Sequence, residues 1–127
     1  MDIIRKIAAG AVPGTPGGIE TTISTTDATV TTIETVAIPT DEVMKIRAEV
    51  SCKKDDLTEK GGFVKIAQFA NNSGTVTKQG ATTSAFHQAK ATWNVTFAIS
   101  GTNVLIQVTG AVGDNIDWKC SRISLSV

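Results

Sequence analysis

The stretch from Met44 to Cys52 constrains this chain more than any other. Met44, Ile46, Ala48, Val50 and Cys52 alternate without a break with Lys45, Arg47, Glu49 and Ser51. Side chains of a strand point to opposite faces in turn, so this pattern makes a ribbon dry on one side and wet on the other. A helix, with its period of about 3.6, would scatter both sets around its circumference. A second alternation places Trp93, Val95, Phe97 and Ile99 against Asn94, Thr96 and Ala98. It resumes after Ser100-Gly101-Thr102-Asn103 with Val104, Ile106 and Val108. Two such runs around a short Gly-containing connection predict a β-hairpin with both apolar sets on one face.

The rest of the chain fits the same template. Thr21–Thr25 and the threonine-rich Thr29–Ile38 predict two strands, the second closed by the Pro39-Thr40-Asp41 turn. Lys53–Gly62 reads as a polar loop and Phe63–Ala70 as a strand. Thr75–Gln79 reads as a short strand broken at Gly80, and Thr82–Ala89 as either strand or loop. Ile116, Trp118 and Cys120 occupy one strand phase and Ile123, Leu125 and Val127 the other. That switch predicts a β-bulge or a strand crossing between sheets. Frequent threonine suits the pleated backbone, because branching at Cβ restricts the side chain where a helix is crowded. The expected fold is an all-β antiparallel sandwich or jelly roll.

Residues 1–18 stand apart. Asp2–Ala9 holds enough apolar character for one or two helical turns, which are marginal alone in water. Gly10–Gly18, with Pro13 and Pro16 among four glycines, predicts a flexible linker. The division is therefore an arm at 1–18 and a sandwich at 19–127. Ile3, Ile4 and Ile7 suggest an arm that orders against a partner, since apolar side chains gain nothing in water. A frayed terminus is the plainer alternative.

Composition excludes several classes of function. Twelve basic residues balance twelve acidic ones, so the basic excess of a nucleic-acid binder is missing. No run approaches the roughly 20 apolar residues that cross a membrane. Arg5 and Lys6 follow Ile3 and Ile4 where a Sec signal would have them precede an apolar core, so no export is expected. The sequons at Asn71 and Asn94 then have no glycosylation to accept.

A search for catalytic chemistry finds little. The one histidine, His87, has no nucleophile motif around it. One His and two distant Cys make a poor zinc site. Asp27, Glu34, Glu49 and Asp117 are the acids that could pair for glycoside cleavage, and nothing distinguishes them from strand-surface acids. The glycines precede no phosphate-binding Gly-Lys-Ser/Thr element. No catalytic residue, metal or cofactor is expected. Cys52 and Cys120 share the apolar phase of their strands and read as buried thiols, with an inter-strand disulfide as the alternative. Trp93 and Trp118 read as core, with sugar-stacking platforms as the alternative.

An ensemble of segments carries a resemblance. These are Thr25-Thr26-Asp27-Ala28-Thr29, Ile38-Pro39-Thr40, Val43–Val50, Trp93-Asn94-Val95-Thr96-Phe97, Ser100-Gly101-Thr102-Asn103-Val104, Val108-Thr109-Gly110 and Ile116-Asp117-Trp118-Lys119-Cys120. From Thr25 onward the chain resembles a small β-domain that recurs in virion proteins of tailed bacteriophages, in fibres, spikes and capsid-surface proteins. The resemblance implies a homotrimer located in the virion and assembled in the host bacterial cytoplasm. It implies a capsid decoration or head-fibre protein whose arm docks on the major capsid protein or another virion protein. The alternative is a tail or collar protein that binds a host-surface glycan or receptor. A virion-borne glycan-degrading enzyme is the third reading.

Overall fold

The computed structural model describes residues 18–127, so Ile3, Ile4 and Ile7 lie outside the described residues. Eight strands follow one another with no helix between them. They are β1 (Ile19–Thr25), β2 (Thr31–Ala37), β3 (Val43–Lys54), β4 (Lys60–Asn72), β5 (Thr75–His87), β6 (Asn94–Ser100), β7 (Asn103–Thr109) and β8 (Ile116–Ser126). They form a five-stranded sheet, β1-β8-β3-β4-β5, and a three-stranded sheet, β2-β7-β6. Every pairing is antiparallel. The protein is a β-sandwich. First pairs with last and second with penultimate, the nesting of a rolled-up hairpin. A jelly roll would continue by pairing β3 with β6, but β3 pairs with β4 and the nesting stops.

The core lies between the sheets and follows from the alternations. Met44, Ile46, Ala48, Val50 and Cys52 are buried along β3, as are Val104, Ile106 and Val108 along β7. Phe69 of β4 meets Phe97 of β6 edge to face, with ring centroids 5.7 Å apart. At the opposite side of the sandwich, Arg122 reaches across from β8 to Glu34 of β2, with Nη2 2.8 Å from Oε2. The smaller sheet ends over β4, and β5 projects beyond it with nearly every side chain exposed.

Several boundaries differ from expectation. Strand β2 is shorter, because the Ile38 amide donates to Thr102 O and not to a strand partner. The loop expected over Lys53–Gly62 shrinks to 55–59, since Lys53 and Lys60 still pair across the β3–β4 hairpin. The hairpin connection shortens likewise: Ser100 pairs with Asn103, leaving a two-residue turn with Gly101 at φ 61°. Gly80 does not end a strand. It sits at φ 74° inside β5, where the register against β4 shifts between Ile66 and Gln68, so the break is a bulge in one continuous strand.

The phase switch in β8 has neither of the expected causes. Its register runs unbroken against β3 from Met44↔Ser126 to Lys54↔Ile116, and against β1 from Ile19↔Arg122 to Thr25↔Ile116. Ile123, Leu125 and Val127 therefore point away from the core, on the outer face of the five-stranded sheet. Leu125 is 69 % exposed and Val127 88 %.

This distribution predicts a sharp contrast between two aliphatic truncations. Ile106→Ala, in the core, should lower unfolding free energy by about 2–5 kcal/mol. Leu125→Ala should change it by no more than about 0.5 kcal/mol. Urea denaturation followed by tryptophan fluorescence measures both.

Candidate functional site

The outer face of the five-stranded sheet carries the polar half of each alternation. Across β1, β8, β3 and β4, one level of the pleat presents Ser24, Asp117, Lys53 and Lys60, and the next presents Thr22, Lys119, Ser51 and Gly62. These two levels without Gly62, together with Leu57 from the β3–β4 loop, border a depression of about 670 Å³. A second depression of about 380 Å³ adjoins it over Glu20, Glu49, Val64 and Ser121, sharing Ser51 and Lys119. Gly62 lines the second depression, where a Cβ would have only Val50 O nearby, at 3.9 Å.

Several side chains beside these depressions are hydrogen-bonding and charged. Ser24 Oγ donates to Asp117 Oδ1 at 2.8 Å, and Lys119 Nζ lies 3.2 Å from Glu20 Oε1. Lys53 and Lys60 stand directly opposite each other, a repulsive cross-strand arrangement. Neither makes an ion pair among the described residues. Hydroxyl, ammonium and carboxylate groups border an open concavity whose lining is largely apolar, which suits a ligand with hydroxyl groups at its edge and an apolar face.

The tryptophans sit on the opposite side of the sheet. Trp93 and Trp118 are buried, with ring centroids 6.3 Å apart. Their indole N–H groups donate to Asp114 Oδ2 at 3.3 Å and to Thr25 Oγ1 at 2.9 Å. Gly61 makes room for this packing. A Cβ there would lie 2.9 Å from Cys52 Sγ and 3.4 Å from Trp93 Cε3. Asp114 also accepts from Lys90 Nζ at 2.8 Å, while Lys54 Nζ lies 3.4 Å from Glu59 and 3.6 Å from Asp114. The Lys90 hydrogen bond holds the Asp114 carboxyl below the ordinary carboxylate range, and the same bond raises Lys90. Sequence reasoning missed this cluster. Gly113-Asp114-Asn115 signals a turn, and nothing in its spacing ties it to Lys90 or Glu59.

Cys52 and Cys120 are both free and buried. Cys120 pairs with Val50, one pleat away from the Cys52–Trp118 pair, so the two thiols are diagonal neighbours on one face. That separation exceeds what a disulfide spans. Burial pushes their thiols up, to about 11 for Cys52 and about 12 for Cys120.

The other candidates are dispersed. His87 closes β5 and is exposed. Asp27 accepts the Thr29 amide, Glu34 binds Arg122, Glu49 binds Arg47 and Asp117 binds Ser24. Glu34 lies between the sheets while Glu49 and Asp117 lie outside them, so these acids do not converge. Among the described residues no group of three or more His, Cys, Asp or Glu side chains gathers as a metal site would require. Asn71, of the first sequon, is buried and clamps two turns: its amide nitrogen donates to Ile38 O at 2.7 Å and its oxygen accepts from Gly74 N at 2.8 Å.

No family model matches this chain, and neither does any curated protein. Among solved structures, it is similar to the tailspike protein of Acinetobacter baumannii phage AM24, with a TM-score of 0.44 and 9 % identity. The similarity covers 81 % of this chain and 25 % of that one.

Two titrations probe the buried groups. The thiols should resist an aromatic disulfide reagent at pH 8 and react fully in denaturant. Because their folded values exceed the ordinary 9.0, their contribution to stability is complete below that pH. It is lost as pH rises through about 11 and then about 12. Asp114 has the opposite sign: its contribution is present above the ordinary 3.8 and disappears as pH falls through its lower folded value. The stability difference between the native chain and Asp114→Asn should therefore shrink in acid, as measured by urea denaturation at a series of pH values.

Proposed function

We propose that this chain is a non-enzymatic structural domain on the surface of a tailed-phage particle, and that its outer sheet face binds a host-surface glycan. The resemblance of its strand and turn segments supplies the phage context. The carrying observation is the uncovered concavity, largely apolar in its lining and bordered by the polar side chains of Lys53, Lys60, Lys119, Asp117, Ser51 and Thr22. Carbohydrates are recognised largely by hydrogen bonds to their hydroxyl and carboxylate groups, and this face offers donors of both hydroxyl and ammonium type. A tail or collar position follows from this reading.

Capsid decoration or head-fibre attachment is the second reading, and a different part of the same face favours it. Gly18 enters the sandwich beside β8, where an added Cβ would run into Arg122 O and Ile123 Cγ1. Residues 1–17 thus join the domain next to the exposed row of Ile123, Leu125 and Val127. An arm and an apolar patch at one end would together suit a protein docking site such as the major capsid protein.

Adsorption of the phage to its host separates the two. Purified chain added in excess should block adsorption, and Lys53→Glu/Lys60→Glu should lose at least tenfold in blocking potency. Absence of blocking, together with binding to heads that depends on residues 1–18, would contradict the glycan reading and support decoration.

A further inference from the structure

Strand β5 is the least protected part of the fold. It spans 13 residues at one edge of the five-stranded sheet, beyond the reach of the smaller sheet, and only Val76 on it is buried. An edge strand presents a row of unpaired backbone N–H and C=O groups that invites another strand, and proteins usually blunt such edges with charge, proline or a bulge. Here the blunting consists of Lys78 and the bulge at Gly80, Ala81 and Thr82, and regular pairing resumes at Thr83. The second half, Ala81-Thr82-Thr83-Ser84-Ala85-Phe86, carries no charge and no proline. It pairs in regular register with β4 from Thr83↔Ile66 to His87↔Gly62. Its one large side chain, Phe86, stacks on buried Phe63 with centroids 6.1 Å apart, under Lys65 Nζ at 5.5 Å, and still remains 58 % exposed.

We propose that the β5 edge from Ala81 to Phe86 is the surface on which a second copy of this chain adds. The two strands pair antiparallel about a twofold axis and join two five-stranded sheets into one. Self-pairing fits this edge chemically. With Ser84 on the axis, Ala85 lies opposite Thr83, and Phe86 and His87 reach the bulged Thr82 and Ala81, so no like charges meet. The lengths also match. The other edge strands among the described residues, β1, β2 and β6, have 7 residues each and would leave much of β5 bare. Twofold self-complementary interfaces are the commonest in homo-oligomers. A twofold pair also differs from the threefold assembly that the phage resemblance implies, so assembly size alone tells them apart.

The test is mass in solution by sedimentation over a concentration series extending into the millimolar range. The native chain should sediment at twice its chain mass. Thr83→Lys/Ala85→Lys and Thr83→Glu/Ala85→Glu, both at exposed positions, should each fall to the single-chain mass with unchanged circular dichroism. An equimolar mixture of the two should recover the double mass, because each Lys then faces a Glu. Hydrogen exchange of the native chain gives a second readout without substitution: protection at 81–86 should rise with concentration. The proposal is overturned by a native chain that stays single throughout, by a threefold mass, or by a lysine variant that keeps the native mass. It is also overturned if Thr22→Lys/Ser24→Lys on β1 abolishes assembly, since pairing would then run through the other edge.

Discussion

The antiparallel pairing of β8 with β3 joins residues as distant in the chain as Met44 and Ser126, and both layers depend on it. Strand β8 also holds β1, so without it the larger sheet would divide into a lone strand and a three-stranded remnant. It carries Trp118 and Cys120 into the core and Arg122 across to Glu34 on the other sheet. One strand thus closes the sheet, fills the interior and ties the layers. Pairings of such long sequence separation incur loop-closure entropy before they gain contact energy, so the sandwich belongs to the slow-folding topologies.

Because β8 and β3 bury one face each, their opposite faces are free for other work. Most of the buried polar chemistry serves closure: the indoles bond to Asp114 and Thr25, Asn71 holds two turns, and Lys90 and Lys54 compensate Asp114. Buried donors and acceptors left unpaired would cost about 1–3 kcal/mol each, which explains why these groups are engaged inward. The outer face carries no such duty. Its hydroxyls, lysines and carboxylates border two open depressions without a core to support, which is the physical basis for reading that face as a contact surface.

Much of the fold is legible in the residues, and the failures have a common physical origin. Alternation at 44–52 and 93–108 marks two strands and a hairpin because each has one wet face. The same logic fails in β8, where apolar residues were equated with inward ones: Ile123, Leu125 and Val127 obey the period but point outward. It fails again in β5, where exposure on both faces removes the alternation altogether and Gly80 passes for a break. The concave face was visible only as the polar half of each strand. Its shape depends on which strands are neighbours, and register across β1, β8, β3 and β4 is a long-range property that local pattern does not encode. The Lys54–Glu59–Lys90–Asp114 cluster is illegible for the same reason.

Nitrogen-15 amide spectra of the chain, recorded while polysaccharide from the host surface is added, test the assignment of that face most directly. The account predicts shifts at Thr22, Ser51, Lys60, Gly62 and Lys119, with Val104 and Ile106 unmoved. Shifts confined to other surfaces, such as the Gly101-Thr102 turn, or an unchanged spectrum at saturating polysaccharide, would contradict it.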